Sequence, residues 1–238
     1  MKSNERWADL KVSLPGKINP AFIRRRLFAE NKATRTIPEQ IFNIDNNGTP
    51  ARRRSLFRFG GGQHFHIYAV GDRSSNILES SISTIRQTLE HIYQTDIEAD
   101  FSSDKYVFSV VSEPIPYKIS GLALIKSPDD YEIISKLPQH KLASYINSLL
   151  RNHIDREISL VDAPGITMDN PDIFISRPSI KSADTVSLKP GSRFLVAKEV
   201  HFETNLYIKG ILHAGYLLSH GYGRIRKSNP IAPQGRYK

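Results

Sequence analysis

Residues 55–70 read "SLFRFGGGQHFHIYAV", and this stretch decides the fold of the first half of the chain. Apolar and polar residues alternate on both sides of a glycine cluster, which is the pattern of two short strands joined by a tight turn. The sequence therefore predicts strands at 55–59 and 64–70 that pair as a β-hairpin.

A helix and a strand are predicted on each side of this hairpin. Apolar residues recur every three or four positions over 76–93, which indicates an amphipathic helix, and residues 105–111 alternate as a strand. Before the hairpin, residues 7–14 alternate, and a helix follows with Asn19 as its N-cap and Pro20 at its first position. The resulting order of strand, helix, strand, strand, helix, strand is that of a ferredoxin-like unit.

The second half of the chain is predicted to repeat this order. Its six elements are a strand at 117–125, a helix at 139–154, strands at 156–162 and 192–203, a helix at 204–220, and a strand beginning at "GYGRIRK" (221–227). We therefore predict an α+β fold of two tandem ferredoxin-like (βαββαβ) domains with a C-terminal glycine-rich loop. The predicted domains are residues 1–114, with a basic insertion at 31–54, and residues 115–238, with an insertion at 163–192.

Composition narrows the class of protein. The chain has 238 residues, of which 39% are apolar, and no apolar run approaches the roughly 20 residues of a membrane span. The first residues, "MKSNERWADLKV", lack the apolar segment of a signal peptide, so we expect a cytoplasmic protein without a membrane partner. The absence of cysteine excludes disulfides and thiolate metal sites, and it fits a reducing compartment.

Positive charge is concentrated at the two ends of the chain. Residues 1–62 hold 13 Lys and Arg against 5 Asp and Glu, residues 63–203 hold 14 against 19, and residues 204–238 hold 6 against none. Basic ends on a globular chain indicate a polyanionic partner, most often nucleic acid. A generally basic surface that serves solubility is the simpler alternative.

A glycine-rich stretch near the C-terminus adds a sequence motif to this order of elements. Residues 210–225 read "GILHAGYLLSHGYGRI" and contain the turn between the last predicted helix and the last strand. The combination resembles the CRISPR-associated RAMP superfamily, and within it the crRNA-processing endoribonucleases, most of all the type IV crRNA endonuclease. The resemblance covers residues 7–227 through the order of elements, and residues 210–225 through a motif.

This resemblance implies a function and a set of partners. It implies metal-independent cleavage of CRISPR repeat RNA on the 3′ side of its stem-loop, with no cofactor and no metal. It further implies that the enzyme keeps the crRNA and joins other CRISPR effector subunits. Two alternatives stay open: a non-catalytic RAMP subunit that binds crRNA within a CRISPR ribonucleoprotein, and an RNA-binding protein outside CRISPR.

Metal-independent RNA cleavage sets requirements for the candidate residues. The 2′-hydroxyl must lie in line with the phosphate, the phosphorane needs positive charge, and the leaving 5′-oxygen needs a proton. Many relatives carry a histidine on the first helix or the loop after it, but residues 1–63 contain none. Arginines there supply charge and phosphate contacts, and His64 and His66 share one strand face as proton-transfer groups. The catalytic candidates are therefore Arg24, Arg25, Arg35, His64 and His66.

The RNA-binding candidates are basic residues and glycines around this predicted site. Arginines before the hairpin suit the backbone phosphates of a stem-loop, and glycines let backbone approach phosphate. Alternation places Arg224 and Arg226 on one face of the last strand, with Ile225 opposite. The candidates are Arg26, Arg52, Arg53, Arg54, Arg58, Gly215, Gly221, Gly223, Arg224, Arg226 and Lys227.

Simpler structural roles stay open for several of these residues. Consecutive arginines on a helix can form a solvated face, and His64 and His66 can lie on a polar sheet face without chemistry. His213 and His220, on or beside the predicted last helix, can belong to the core or to the site. The insertion at 163–192 can be a β-hairpin that contacts the RNA stem, or a contact with another subunit.

Overall fold

The computed structural model describes residues 2–44, 55–163, 165–188 and 191–229. The strands are β1 (Lys2–Val12), β2 (Phe57–Gly60), β3 (Phe65–Val70), β4 (Ala99–Ala123), β5 (Ser179–Ile180), β6 (Ala183–Val186), β7 (Phe194–Lys209) and β8 (Ile225–Lys227). The α-helices are α1 (Pro20–Thr34), α2 (Asp72–Ser80), α3 (Ile82–Tyr93), α4 (Tyr131–Ile134) and α5 (Gln139–Leu160). Short 3₁₀ turns lie at Glu39–Phe42, Pro128–Asp130 and Leu218–His220.

The N-terminal half has the predicted ferredoxin-like strand order. Its strands are neighbours in the order β2, β3, β1, β4, and each pair is antiparallel. The predicted hairpin is confirmed, with Arg58 of β2 directly opposite Tyr68 of β3. The helix predicted at 76–93 is instead two helices, α2 and α3, which meet at Ser81, where the side chain hydrogen-bonds to the carbonyl of Ile77. The helices bury a core that includes Leu10, Ile23, Phe59, Phe65 and Leu89.

Helix α1 begins where its sequence predicts. The Asn19 side chain accepts a hydrogen bond of 3.1 Å from the backbone N–H of Phe22, and Pro20 fills the first helical position. The helix ends at Thr34, because Arg35 adopts a left-handed conformation with a φ of 51°. Its buried residues are Ile23, Leu27 and Asn31.

The C-terminal half repeats the strand order of the first. β5 and β6 pair with one edge of β7, β7 pairs with β4, and β4 pairs with β8, giving the order β5/β6, β7, β4, β8. Both halves share β4, whose pairing register with β7 shifts between Val110 and Ile115. The predicted boundary between residues 114 and 115 lies at this shift. Since one sheet runs through both halves, the division into two domains stays a prediction.

Two elements predicted in the C-terminal half are wrong. The strand predicted at 156–162 belongs largely to α5, because Leu150, Ile154 and Ile158 continue a buried helical stripe with a spacing of four residues. The helix predicted at 204–220 is also absent, since residues 204–209 extend β7, where Leu206 pairs with Val110 of β4. The segment that follows, residues 210–224, contains one 3₁₀ turn and no α-helix.

The insertion at 163–192 contributes β5 and β6, which pair with β7 and not with each other. Within the described ranges, no helix is both long and apolar enough to cross a bilayer. The same ranges hold no group of three His, Asp or Glu residues placed to bind a metal ion.

Candidate nucleic-acid interface

Arg24 lies half-buried on the side of α1 that faces the sheet. Its guanidinium donates a hydrogen bond to the backbone carbonyl of Phe42 and lies 5.6 Å from the centre of the Phe59 ring. Burial lowers the pKa of Arg24, and its Nε finds no acceptor among the described residues. The Nε atom is itself buried, so any anion would meet the terminal nitrogens of this guanidinium.

Arg25 lies on the exposed side of the same helix turn. It forms no ion pair with a described residue, and α1 has no acidic residue in its first turn. Helix N-termini favour acidic side chains because the backbone dipole is positive there. The N-terminal half of α1 therefore presents uncompensated positive charge to solvent.

The glycine-rich segment approaches α1 closely at Gly221. A Cβ at Gly221 would lie 2.5 Å from Cγ of Pro20, the first residue of α1, and 3.3 Å from the carbonyl oxygen of Phe59 in β2. Gly221 has a φ of 93°, which favours glycine, so its backbone fits in a narrow gap. The 3₁₀ turn at Leu218–His220 consequently packs on both β2 and α1.

This packing brings His220 to the arginines of α1. Burial, followed by the positive charges of Arg24 and Arg25, lowers the pKa of His220 from 6.5 to about 4. The imidazole is therefore neutral at pH 7. We call Arg24, Arg25 and His220 the arginine–histidine cluster.

A second cluster lies on the sheet between β1, β3 and β8. His66 Nδ1 is 2.9 Å from a carboxylate oxygen of Asp9, and the His66 ring stacks on Tyr68 at 5.4 Å. The Arg224 guanidinium lies 4.5 Å from the centre of the Tyr68 ring and donates a hydrogen bond to the Tyr68 hydroxyl. Burial raises the pKa of Tyr68 to about 12, while Arg224 and Arg226 oppose this effect. We call Asp9, His66, Tyr68, Arg224 and Arg226 the sheet cluster.

The sheet cluster combines predicted residues that are about 160 positions apart in the chain. Arg224 and Arg226 both reach Tyr68, and Ile225 between them is buried, as the alternation predicts. Because Asp9 holds Nδ1 of His66, the Nε2 atom lies on the opposite edge of the ring. The cluster carries two arginines against one carboxylate, a balance that favours anions.

The prediction that Arg58 contacts RNA does not fit its position. Its side chain is fully buried and forms an ion pair with Glu157 of α5, with the second contact at 2.7 Å. Arg58 also lies 3.0 Å from Nδ1 of His213 in the glycine-rich segment. Alternation along β2 turns Arg58 toward the C-terminal half, so it joins the two halves of the molecule.

The glycines of the C-terminal segment are required by internal packing. Gly215 and Gly223 are buried with φ values of 82° and 87°. A Cβ at Gly215 would lie 2.7 Å from the carbonyl oxygen of Ala123, and one at Gly223 would overlap the carbonyl oxygen of Ala214. Burial keeps both backbones from RNA, contrary to prediction, whereas Gly221 is partly exposed and its contact with RNA stays a prediction.

The remaining candidates make contacts of their own or lie further along α1. Arg35, at the far end of α1, is roughly 15 Å along the helix axis from Arg25. His64 is 3.3 Å from the Ser13 hydroxyl, and Lys227 lies over the Tyr207 ring at 4.1 Å. Arg26 contacts α3, as described below. The predicted RNA contacts of Arg52, Arg53 and Arg54 lie outside the described residues.

Two residues of the sheet cluster and one of the arginine–histidine cluster are absent from the candidates chosen by sequence. Tyr68 follows His66 at a spacing of two, so the strand alternation already placed it on the same face. Asp9 is directly opposite Tyr68 in the antiparallel register of β1 and β3, which no local pattern reveals. The sequence leaves His220 open as a residue of the core or of the site, because its approach to α1 depends on the fold of the glycine-rich segment.

Comparison with known proteins identifies a family whose model matches this chain and solved structures that share its fold. A family model described as the type IV CRISPR-associated endonuclease Csf5 matches residues 5–230. A solved structure of Csf5, a CRISPR-Cas type IV Cas6 crRNA endonuclease, superposes with a TM-score of 0.67 at 17% identity, covering 94% of this chain and 100% of that one. A Cas6b structure superposes with a TM-score of 0.63 at 15% identity and the same coverage. A structure of the CRISPR RNA processing endoribonuclease Cas6b gives 0.57 at 14% identity, again over 94% and 100%. No curated protein sequence matches the chain.

Proposed function

We propose, from the premise that the chain belongs to the Csf5 family of type IV CRISPR-associated endonucleases, that it cuts CRISPR repeat RNA without a metal ion. As a Cas6-type protein it is a crRNA-processing endoribonuclease. The proposed cut lies on the 3′ side of the repeat stem-loop. The enzyme then stays on its product as a subunit of an effector complex.

One observation carries the proposal: the 3₁₀ turn that contains His220 packs on α1, with Gly221 against Pro20, near enough for the charges of Arg24 and Arg25 to lower the pKa of His220. These residues are nearly two hundred positions apart, and they bring a neutral imidazole together with two guanidinium groups. Two cations that depress the pKa of a histidine are stabilised by an anion bound between them. The scissile phosphate is an anion of suitable charge.

The arrangement supports a specific division of labour. His220, neutral at pH 7, accepts the proton of the 2′-hydroxyl as that oxygen attacks the adjacent phosphate. The bond from phosphorus to the 5′-oxygen breaks, a 2′,3′-cyclic phosphate is left, and the departing 5′-oxygen takes its proton from water. Arg24, held by Phe42 and Phe59, directs its guanidinium toward the charge that develops on the phosphorane oxygens. Arg25 adds charge from the exposed side. Arginine-based stabilisation makes a slow enzyme, which suits a protein that retains its product.

The sheet cluster is proposed to hold RNA without cutting it. Arg224 is fixed by Tyr68, and Arg226 is exposed beside it. Two guanidinium groups and Nε2 of His66 can bind backbone phosphates outside the cut. Retention of the product then depends on contacts separate from the arginine–histidine cluster.

A cleavage assay tests this function directly. Purified protein is mixed with a labelled repeat stem-loop RNA in EDTA, and a single cut with a bound product is expected. An RNA with a 2′-deoxy nucleotide at the cut should bind equally well and stay intact, because it lacks the nucleophile. A cut that requires added metal, or that survives the 2′-deoxy substitution, would contradict the proposed mechanism.

Variants then locate the chemistry. Arg25→Ala should slow single-turnover cleavage by about 100-fold, the effect of removing one donor to a developing oxyanion. Arg86→Ala is the matched control, since Arg86 is an exposed helical arginine on α3 that pairs with Glu90. His220→Gln should also slow cleavage with little change in RNA affinity. Equal rates for the Arg25 and Arg86 variants would remove α1 from the site.

A further inference from the structure

Phe22 is an aromatic residue on α1 without a structural role in the core. Half of its surface is exposed, and it packs in neither hydrophobic core of the described residues. Its backbone is rigid, because the Asn19 cap binds the Phe22 N–H. An exposed aromatic ring offers a flat face on which another ring can stack.

Phe22 and Tyr93 of α3 both lie near the Arg26 guanidinium. The Arg26 guanidinium lies 5.9 Å from the centre of the Phe22 ring and 5.7 Å from the centre of the Tyr93 ring of α3. The same guanidinium reaches the carbonyl of Ile92 at 3.5 Å, which fixes it between the two rings. Arg26 therefore lies beside Phe22, and half of the Phe22 surface is exposed to solvent.

The charge around this ring selects the kind of ligand. Arg25 follows Phe22 by three residues and Arg26 by four, so both lie next to it on the helix surface. The first turn of α1 carries no acidic residue. An aromatic face between cations fits a flat group attached to a phosphate, and it does not fit an apolar protein surface.

We propose that Phe22 stacks an unpaired nucleobase of the RNA, next to the phosphate bound by Arg25. The base lies against the exposed part of the Phe22 ring, with Arg26 beside the same ring. Stacking is available to every base, so the site positions a single-stranded nucleotide with little choice of sequence. The inference rests on the proposed function, since it takes the RNA to be the substrate of the arginine–histidine cluster.

The experiment places 2-aminopurine, in turn, at each unpaired position flanking the repeat stem. Wild-type protein should quench its fluorescence strongly at one position through stacking. Phe22→Ala and Phe22→Leu should both lose this quenching and bind the RNA about tenfold more weakly. Phe22→Tyr should behave as wild type, because it keeps the ring. Phe174→Ala is the control, since Phe174 is an exposed phenylalanine in the C-terminal half.

An abasic nucleotide at the quenched position completes a double-mutant cycle. It should weaken binding to wild-type protein about tenfold and leave binding to Phe22→Ala unchanged. Unaltered quenching and affinity in Phe22→Ala, with cleavage by wild type intact, would overturn the stacking and leave the proposed function standing. Loss of a protein partner with unaltered RNA binding would also overturn it. Quenching without any cut would keep the stacking and reject the proposed cleavage, and wild-type protein that binds no RNA would reject both.

Discussion

The two halves of the molecule differ in the segment that joins their last two strands. In the N-terminal half this segment joins β3 to β4, and in the C-terminal half it joins β7 to β8. In the N-terminal half, residues 71–98 form α2 and α3, which pack on β1, β3, β4 and α1 of the same half. In the C-terminal half, residues 210–224 have no α-helix and contact β2, β3 and α1 of the other half. The strand order is the same in both.

Backbone hydrogen bonding explains the difference. A helix satisfies its own N–H and C=O groups, so α2 and α3 need only bury an apolar face. The backbone of the glycine-rich segment instead forms non-helical hydrogen bonds. The N–H of Ala214 donates to the carbonyl of Gly223 at 2.8 Å, and the N–H of Tyr216 donates to the carbonyl of Ala123 at 3.0 Å. Because its backbone is not held in a helix, the glycine-rich segment can pack against the N-terminal half. This packing brings the 3₁₀ turn that contains His220 onto α1.

The largest loss of stability is expected at the buried ion pair between Arg58 of the N-terminal half and Glu157 of the C-terminal half. Glu157→Ala should reduce the free energy of unfolding by about 4 kcal/mol, because it leaves Arg58 buried without its carboxylate. Urea unfolding measures this change. The double variant Arg58→Met, Glu157→Leu should recover most of the loss, since neither charge then remains. A Glu157→Ala loss below about 1 kcal/mol would mean that the pair does not join the halves.

A smaller loss of stability is expected at Gly223, whose carbonyl accepts a hydrogen bond from Ala214 in the same segment. Gly223→Ala should cost about 3 kcal/mol, from a left-handed backbone and from the overlap of its Cβ with Ala214 O. Gly16→Ala is the matched control, because Gly16 has a similar φ of 81° but open space around its Cβ position. It should cost about 1 kcal/mol. Equal losses in urea unfolding would show that backbone conformation alone requires Gly223.

The smallest effect concerns His220 and pH. Its pKa is about 4 in the folded chain and 6.5 unfolded, so the unfolded state binds the proton first as the pH falls. Stability is therefore unaffected by this group above pH 6.5 and declines between pH 6.5 and 4, by about 2 kcal/mol after allowance for partial exposure. His220→Gln should remove that share of the decline between pH 7 and pH 4.5. An unchanged pH dependence in His220→Gln would show that the connection does not bury His220 against α1.

Local patterns predicted the first connection well and the second poorly. The stripe of apolar residues over 76–93 gave α2 and α3 their helical form, because periodicity and packing on the same half agree. Over 204–220 the apolar residues fit both a helix and a strand. Pairing of Leu206 with Val110 decided for the strand, and that contact spans about 96 positions. The candidate site shows the same division. The arginines of α1 were predicted from local sequence, whereas the approach of His220 to α1 depends on how the glycine-rich segment packs.

The sequence by itself determined the N-terminal strand order, the cap at Asn19, the basic character of α1 and the resemblance to crRNA endonucleases. These features depend on local hydrogen bonding, periodicity and charge, which neighbouring residues carry. The tertiary structure alone decided that Arg58 is buried against Glu157, that Gly215 and Gly223 serve internal packing, and that His220 meets Arg24 and Arg25. Each of these depends on long-range contacts between the halves, where burial sets the pKa of a histidine and turns an arginine away from RNA.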